Sequence, residues 1–445
     1  MVVQHSYRYL AESSYSVDEG LGLATAGGRE SNPHFFRGFA GNAQQTARAL
    51  LAVAEVARTR YFDAGAAQRM RDPVVTSNSS VLRFEAFSAC NGVYARFDLD
   101  AEGFDGDHVD WGTTNVDVND PLRAALVGVA AGEPLRLSVG HEQMTVETMD
   151  GAFIERKVPL PERWLRGFAE AQIASSAMDP VAVLGTAQAR SLIRTLPAQK
   201  TGNRPTWLQL SAAGVRLSQR PDGQFPSIVG PQRLSALQRL APHVRGMSIH
   251  APPVRLRANG SEALRPSGWV VDLDHARLTL IVSPELYRGF SGEGSVLDAL
   301  VSAPDDVVEA VSSSLSGQPS IDPEEYEDFQ LDSVVDAIRM LGASGRIGHD
   351  LTTGGFFHRD LPFDRSVLDE MHPRLVDARE LVRSGAVVAG QGASVVRSGD
   401  TDYTVTFDED GDRCSCMWFA KHRGERGPCK HVLAAQLVVS GARPS

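Results

Sequence analysis

No stretch of the chain approaches the roughly 18 uninterrupted apolar residues that a membrane-spanning helix requires. The first nine residues, Met1 to Tyr9, carry no basic region followed by an apolar core, so a secretory signal is not expected. Cysteine is scarce, four in 445 residues, too few for a disulfide framework, and a reducing cytoplasm is the expected location. A glycine-rich loop ending in Lys-Ser or Lys-Thr is missing, so nucleotide chemistry would belong to a partner. Positive charge is short as well. Lys and Arg number 44 against 55 Asp and Glu, a formal net charge of −11, so binding a polyanion would need a local basic patch against an unfavourable global field. No Ser-His-Asp spacing and no framed pair of carboxylates stands out, and an enzyme is not expected.

A chain of 445 residues exceeds one ordinary core, and two or three domains are expected. The periodicities read as α+β. Residues 1 to about 40 read as irregular and glycine-rich. Asn42 then caps a helix in which Ala43, Ala47, Leu50, Leu51, Ala54 and Ala57 recur at helical spacing, as far as about Tyr61. Strand alternation follows at 81–87 and 93–99, joined through the hairpin signal Asn91-Gly92. Asp120 as cap and Pro121 open a second helix, 135–139 and 144–148 form a second hairpin, and a third helix runs over 161–174. The grammar repeats with a helix over 180–196, a hairpin at 207–210 and 215–218, a helix over 231–240, and strands at 247–250, 269–273 and 278–282. Such repeated helix and β-hairpin units are expected to build a large N-terminal region, with an α+β domain at 1–175 and a second α+β unit at 176–312.

The run Ser312-Ser313-Ser314-Leu315-Ser316-Gly317-Gln318-Pro319-Ser320 reads as the main linker. Beyond it Leu331, Val334, Val335, Ile338 and Leu341 form one helical face that stops at Gly342, and 345–351 with 355–361 read as a hairpin. Helix plus hairpin is the rear half of a winged helix, so 321–392 is expected as a small helical or winged-helix-like segment, without a basic recognition face. Pro373 reads as a break in a helix over 366–384. Residues 393–440 read as a β-meander, with strands at 394–397, at 403–407 and from Arg413, closed by a helix.

Three of the four cysteines lie in this last unit, as Cys414-Ser415-Cys416 and Cys429-Lys430-His431. Residues two apart on an extended strand face the same way, so Cys414 and Cys416 can aim both sulfurs at one point. Three thiolates and an imidazole make a Cys3His set suited to one tetrahedral zinc ion, with no position left for water, so the site reads as structural. His422, in the connecting loop, is the alternative fourth ligand. A disulfide fits poorly, because Cys-x-Cys closes a strained ring and leaves Cys429 over.

The pattern Cys-x-Cys, spacer, Cys-x-His and short helix resembles the SWIM zinc finger, matched residue by residue at Cys414, Cys416, Cys429 and His431. Longer phrases are similar to bacterial SWIM zinc finger family proteins: Gly112-Thr113-Thr114-Asn115-Val116-Asp117, Val158-Pro159-Leu160-Pro161-Glu162-Arg163-Trp164 with Leu165-Arg166-Gly167-Phe168, and Tyr287-Arg288-Gly289-Phe290-Ser291-Gly292-Glu293-Gly294. That resemblance implies zinc binding, contacts with DNA or protein through the finger, and an accessory role beside ATPase partners. The order of helices and hairpins ahead of the finger is also loosely similar to the repeat of sliding-clamp proteins.

Between the ligand pairs, Lys421, Arg423 and Arg426, with Lys430 beside the metal and Trp418 and Phe419 as exposed aromatics, have the composition of a DNA or RNA contact surface. The same cations would also balance Asp408, Glu409, Asp410, Asp412 and Glu425. The expected function is therefore a zinc-binding, non-enzymatic protein whose finger makes nucleic-acid or protein contacts. A protein-interaction scaffold is the second reading, and an enzyme with catalytic residues scattered through the N-terminal region the third. Cys90 reads as a small buried side chain. Glu102, Asp105, Asp107 and Asp110 read as a solvated acidic loop, and 289–295, which lacks a lysine, as a tight turn.

Overall fold

The computed structural model describes residues 14–16, 20–22, 34–61, 73–78, 80–158, 160, 162–197, 204–211, 214–221, 225–254, 262–287, 289–290, 295–315, 320–343, 345–359, 372–390, 392–408, 411–422 and 426–439. An antiparallel sheet of eight strands carries the fold. Across the sheet its strands are Asp179–Gly185, Gly246–Ala251, Ser267–Asp272, Ala276–Val282, Val93–Asp100, Val81–Phe87, Val74–Ser77 and Gly112–Asn115. Four precede residue 175 and four follow it, joined where Val93–Asp100 pairs with Ala276–Val282. The boundary expected at 175/176 thus lies between two halves of one sheet.

A second antiparallel sheet orders Gly151–Arg156, Gln143–Thr148, Arg136–Gly140, His34–Ala40 and Phe104–Val109. Helices Ala43–Arg58 and Asp120–Gly128 lie between the two sheets. Leu50 and Val53 from the first, Leu122 and Leu126 from the second, Phe84 from the large sheet and Met144 and Val146 from the smaller one face a common small apolar cavity. Because helices or strands cover both sides of Val81–Phe87, that strand is buried at every position but its first. Its buried Arg83 is matched by Asp98 of the neighbouring strand Val93–Asp100, Nε to Oδ1 2.6 Å, and the same carboxylate meets Arg96 of that strand, Nε to Oδ2 2.7 Å.

The first helix starts as the sequence indicates, with Asn42 Oδ1 accepting the Gln45 N–H at 3.1 Å. In the second, Asn119 is the cap, accepting the Leu122 N–H at 2.9 Å, while Asp120 is already helical. Several other expectations are corrected. Residues 180–196 are not one helix, because Asp179–Gly185 pairs as an edge strand and the helix is only Thr186–Thr195. The acidic loop contains the strand Phe104–Val109, and Ser14–Ser16 pairs with Gly20–Gly22 in the segment read as irregular. Residues 231–240 wind as a 3-10 helix, and the serines at 312–314 belong to helix Asp305–Ser314 rather than to a linker. Pro373 opens helix Pro373–Arg383 instead of breaking one, since proline's missing N–H costs nothing in the first turn. The remainder of that expected helix, at 366–371, lies outside the described residues.

The phrases of the bacterial resemblance meet in space. Val158 donates its N–H to the Asn115 carbonyl at 3.2 Å and accepts from the Asn115 side chain. Asn91 donates its side chain to the carbonyls of Arg163 at 2.7 Å and Phe290 at 2.9 Å. Phe87 packs edge-on against Trp164, Phe168 and Phe290, with centroids 5.8, 5.1 and 6.3 Å away. Gly112 is glycine for contact reasons: a Cβ there would lie 2.4 Å from the Phe35 ring.

Helix Leu331–Ala343 packs on Asp305–Ser314 around Val307, Val311, Val334 and Ile338, in a small second core. The following hairpin, Ile347–His349 with Phe356–His358, does not stand out as a wing. It is buried against the large sheet, where Arg359 holds Glu85 through two bonds of 2.7 Å and Arg96 meets Asp350 at 3.2 Å. The winged-helix-like reading of 321–392 is corrected accordingly.

Candidate metal centre

The C-terminal sheet is antiparallel and has four strands, Val387–Ala389, Ala393–Ser398, Thr401–Thr406 and Arg413–Cys414. Helices Met417–His422 and Lys430–Val439 follow. The expected meander gains an edge strand, and a short helix lies between the ligand pairs. The final helix packs on Pro373–Arg383, on Val387–Ala389 and on helix Ser295–Ser302 of the large region.

Cys414 ends the last strand, opposite Val405. Cys416 lies past it, in the bend before Met417, so the two cysteines do not share an extended strand as their spacing predicted. The second pair does not share a strand either, because it straddles a helix start with Cys429 just ahead of Lys430–Val439. The Cys429 carbonyl accepts the Leu433 N–H at 3.0 Å, and His431 sits in the first turn of Lys430–Val439.

These elements bring Cys414, Cys416, Cys429 and His431 together, all buried, with their donor atoms within 4.8 Å of one another. His431 turns Nδ1 inward, 3.8 Å from Cys414 Sγ and 3.9 Å from Cys429 Sγ. A zinc tetrahedron with Zn–S of about 2.3 Å and Zn–N of about 2.0–2.1 Å has S···N edges of about 3.6 Å, close to these spacings. The donor set therefore fits one structural zinc ion, and four protein donors close its coordination.

The thiols are tuned by one another. Cys429 is drawn down to about 4 by a hydrogen bond from Cys414, helped by His431 and by the Val432 N–H at the helix start. The same bond to Cys429 pushes Cys414 far up, and burial adds to it. Burial pushes Cys416 up as well, although the Phe419 N–H donates to its sulfur at 3.4 Å. A divalent cation removes this conflict, because it lets all three sulfurs carry charge at once.

His422 stands outside the cluster, at the end of Met417–His422, with its ring 4.3 Å from that of Trp418. Lys421 and Arg426 are exposed, whereas Arg423 lies outside the described residues. Lys430 is engaged, its Nζ 3.3 Å from Asp377. Trp418 and Phe419 are half-buried, not exposed as expected, and the Arg374 guanidinium lies 4.8 Å above the Trp418 ring. Arg374 also donates to the carbonyls of Arg426 at 3.0 Å and Pro428 at 2.7 Å, fixing the loop that carries Cys429. Neither Arg374 nor Tyr403, whose ring stacks on His431 at 4.2 Å, was singled out from the sequence. Tyr403 had a signal available, an aromatic on the strand that pairs with the first ligand.

Residues 403–438 match the SWIM zinc finger family. No curated protein matches the chain. Among solved structures it is similar to proliferating cellular nuclear antigen from Entamoeba histolytica, with a TM-score of 0.37 and 10% identity over 57% of this chain and 99% of that one. It is also similar to the PCNA2-PCNA3 complex from Sulfolobus tokodaii, with a TM-score of 0.38 and 11% identity over 56% of this chain and 99% of that one. TM-scores this low do not establish a shared fold. No helix among the described residues is long and apolar enough to cross a membrane.

Proposed function

Starting from a zinc-binding SWIM finger at residues 403–438, we propose that the chain is a non-enzymatic binding protein in which the ion is structural and the ligand loop contacts nucleic acid. The supporting observation is the closure of the site. Four buried protein donors leave no position for water or substrate, so the ion's work is to hold the loop. The loop presents exposed Lys421 and Arg426, with Arg423 between them in sequence. With Trp418 half-buried beneath Arg374, stacking on bases contributes little, and the contact is to backbone phosphates. A ligand set of reduced thiols is what supports a cytoplasmic location in this reading.

The test is binding to single- and double-stranded DNA, read by anisotropy across a salt series. Replacing Lys421, Arg423 and Arg426 with alanine is expected to weaken binding and flatten the salt dependence by roughly one unit of slope per lost phosphate contact. An unchanged slope would sink the nucleic-acid reading.

A second reading, a scaffold beside an ATPase partner, is favoured by the outer face of the finger. Val388 and Val395 pair across adjacent strands at its edge, 68% and 40% exposed. It becomes the better account if no DNA binds at low salt.

A further inference from the structure

Away from the finger, four helices gather positive charge in a chain that is acidic as a whole. Asp120–Gly128, Ala43–Arg58, the 3-10 helix Pro231–Leu240 and Thr186–Thr195 pack in that order into one layer, each against the next. At its surface the layer carries Arg123 from the first, Arg48 and Arg58 from the second, Arg239 from the third, and Arg190 and Arg194 from the fourth. The acidic residues of the four helices are only Glu55 and Asp120. A chain with a net charge of −11 thus has a locally cationic face.

These cations share one field. Burial pushes His243, in the turn after Pro231–Leu240, below its usual range, and Arg48 and Arg190 push it further. Arg123 is lowered in the same way, first by burial and then by Arg58 and Arg239. The two repulsions overlap on Ala43–Arg58 and between them reach all four helices. The carboxylates do not cancel the charge. Asp120 pairs with Arg58, and Glu55 lies 2.5 Å from Arg239 Nε, whereas Arg48, Arg123, Arg190 and Arg194 have no ion pair among the described residues. Arg190 is fixed on the layer, its Nη2 donating to the Pro242 carbonyl at 2.9 Å. Like charges gathered this way repel one another, and a ligand of opposite sign relieves them.

The composition of the layer selects the ligand. Its cations are all arginine, with no lysine in the four helices, and a guanidinium fork matches two oxygens of a phosphate. The same helices contain no Phe, Tyr or Trp, so they offer no platform on which the bases of a single strand could stack. We propose that this helix layer is a docking surface for the phosphate backbone of duplex DNA, reading charge rather than sequence. It is separate from the finger, whose final helix packs on other elements, and it does not rest on the finger's own contact with nucleic acid. If the four arginines outside ion pairs each neutralise one phosphate, the logarithm of the affinity falls with the logarithm of salt at a slope of about −3 to −4. That is a loss of about 100-fold between about 50 and 200 mM.

The experiment follows the anisotropy of a labelled DNA duplex with full-length, zinc-loaded protein across that salt range. Combining Arg48→Gln, Arg190→Gln and Arg194→Gln is expected to flatten the slope by nearly three units, at about 0.9 per arginine. The same loss is expected in a background that also carries Lys421→Ala, Arg423→Ala and Arg426→Ala. Should the triple variant fail to fold, Arg194→Gln alone, at an exposed position, is expected to remove about one unit. Glu55→Gln, which releases Arg239, is expected to tighten binding about two- to threefold. A slope that folded layer variants leave unchanged overturns the proposal, as does a folded Glu55→Gln protein that binds no tighter. Tighter binding of single-stranded DNA or duplex RNA than of the DNA duplex overturns it as well. Slope lost only in the finger variant removes this surface and leaves the finger's reading standing, and slope lost only in the layer variant does the reverse.

Discussion

Tyr403 stacks on His431 with ring centroids 4.2 Å apart and planes 20° from parallel, and the stacked imidazole presents Nδ1 to Cys414 and Cys429. The strand that carries Tyr403 also carries Val405, which pairs with Cys414, so one strand positions two ligands. Contacts of this outer kind typically account for about 10–100-fold in metal affinity. Tyr403→Ala is therefore expected to release zinc to a competing chelator at a correspondingly lower chelator concentration. Tyr403→Phe, which keeps the ring, is expected to match the wild type. An unchanged chelator midpoint in Tyr403→Ala would mean that the helix backbone alone orients His431.

Removing the metal should separate the finger from the rest of the chain in stability. In closed sites of this type the binding free energy is also folding free energy, and the ligands here tie a two-residue strand to a helix. The large sheet, with its own apolar faces, needs none of them. Limited proteolysis in chelator is expected to open the chain beyond Val387 while a fragment reaching Ser312 survives. Loss of that fragment would show that docking of Lys430–Val439 on Ser295–Ser302 is essential to the larger core.

The ligand set was legible because its chemistry is written in residue types, but its presentation was not. Cys-x-Cys and Cys-x-His look alike as spacings, yet one leaves a strand end and the other enters a helix, a difference decided by how Ser415 and Leu433 hydrogen-bond. Residues 180–196 were misread for a related reason. Val181, Val183, Ala189, Leu192 and Ile193 satisfy both periods in part, and pairing with Gly246–Ala251 settles the first half as strand. The continuous sheet and the buried hairpin rest on contacts between segments far apart in sequence, which no local window contains. Arg359 and Glu85 are 274 residues apart, and each looks like an ordinary surface charge until the fold buries it.

That pair ties the end of the hairpin to the sheet through a buried, bidentate contact. Glu85 accepts from Arg359 and from the Tyr94 hydroxyl, and Arg359 also lies 4.4 Å from the Phe168 ring. Removing one member leaves the other charged, buried and unmatched, at a cost of about 3–5 kcal/mol. Arg359→Met is expected to lower unfolding stability by that much in a denaturant titration. Adding Glu85→Gln is expected to recover a large part of the loss. A single variant as stable as the wild type would mean that water reaches Glu85.

Acid should loosen the hairpin, and the start of helix Pro373–Arg383 with it, well before general acid unfolding. Burial holds His349 and His372 down to about 4 and His358 down to about 3, from an ordinary 6.5. A histidine depressed in the folded state takes its proton first when unfolded. Its stabilising contribution is thus complete above about pH 6.5 and is lost as pH falls toward the folded value, at about 1.4 kcal/mol per unit per group. Glu85 and Asp350 act in the same sense at lower pH. Burial opposes their ionisation, but Arg359 and Arg96 hold both carboxyls below their usual range. Thermal unfolding at pH 5 is expected several degrees below that at pH 7, with the shift reduced in a His358→Gln variant. Equal midpoints at the two pH values would show that these rings are hydrated.

The metal ligands themselves can be separated from the nearby alternative. His422 ends a short helix with its ring against Trp418, whereas His431 already faces two thiols, so the two histidines should differ completely in their effect on metal content. Purified protein is expected to hold one zinc with three sulfurs at about 2.3 Å and one nitrogen at about 2.0–2.1 Å by X-ray absorption. Cys414→Ser and Cys429→Ser should abolish metal retention and melt the finger together. His431→Ala should do nearly the same, because three thiolates without the imidazole leave the fourth position to water. His422→Ala should leave zinc content unchanged. An S2N2 shell, or zinc lost on changing His422 alone, would mean that the loop rearranges on binding the ion and that the fourth ligand comes from the helix Met417–His422.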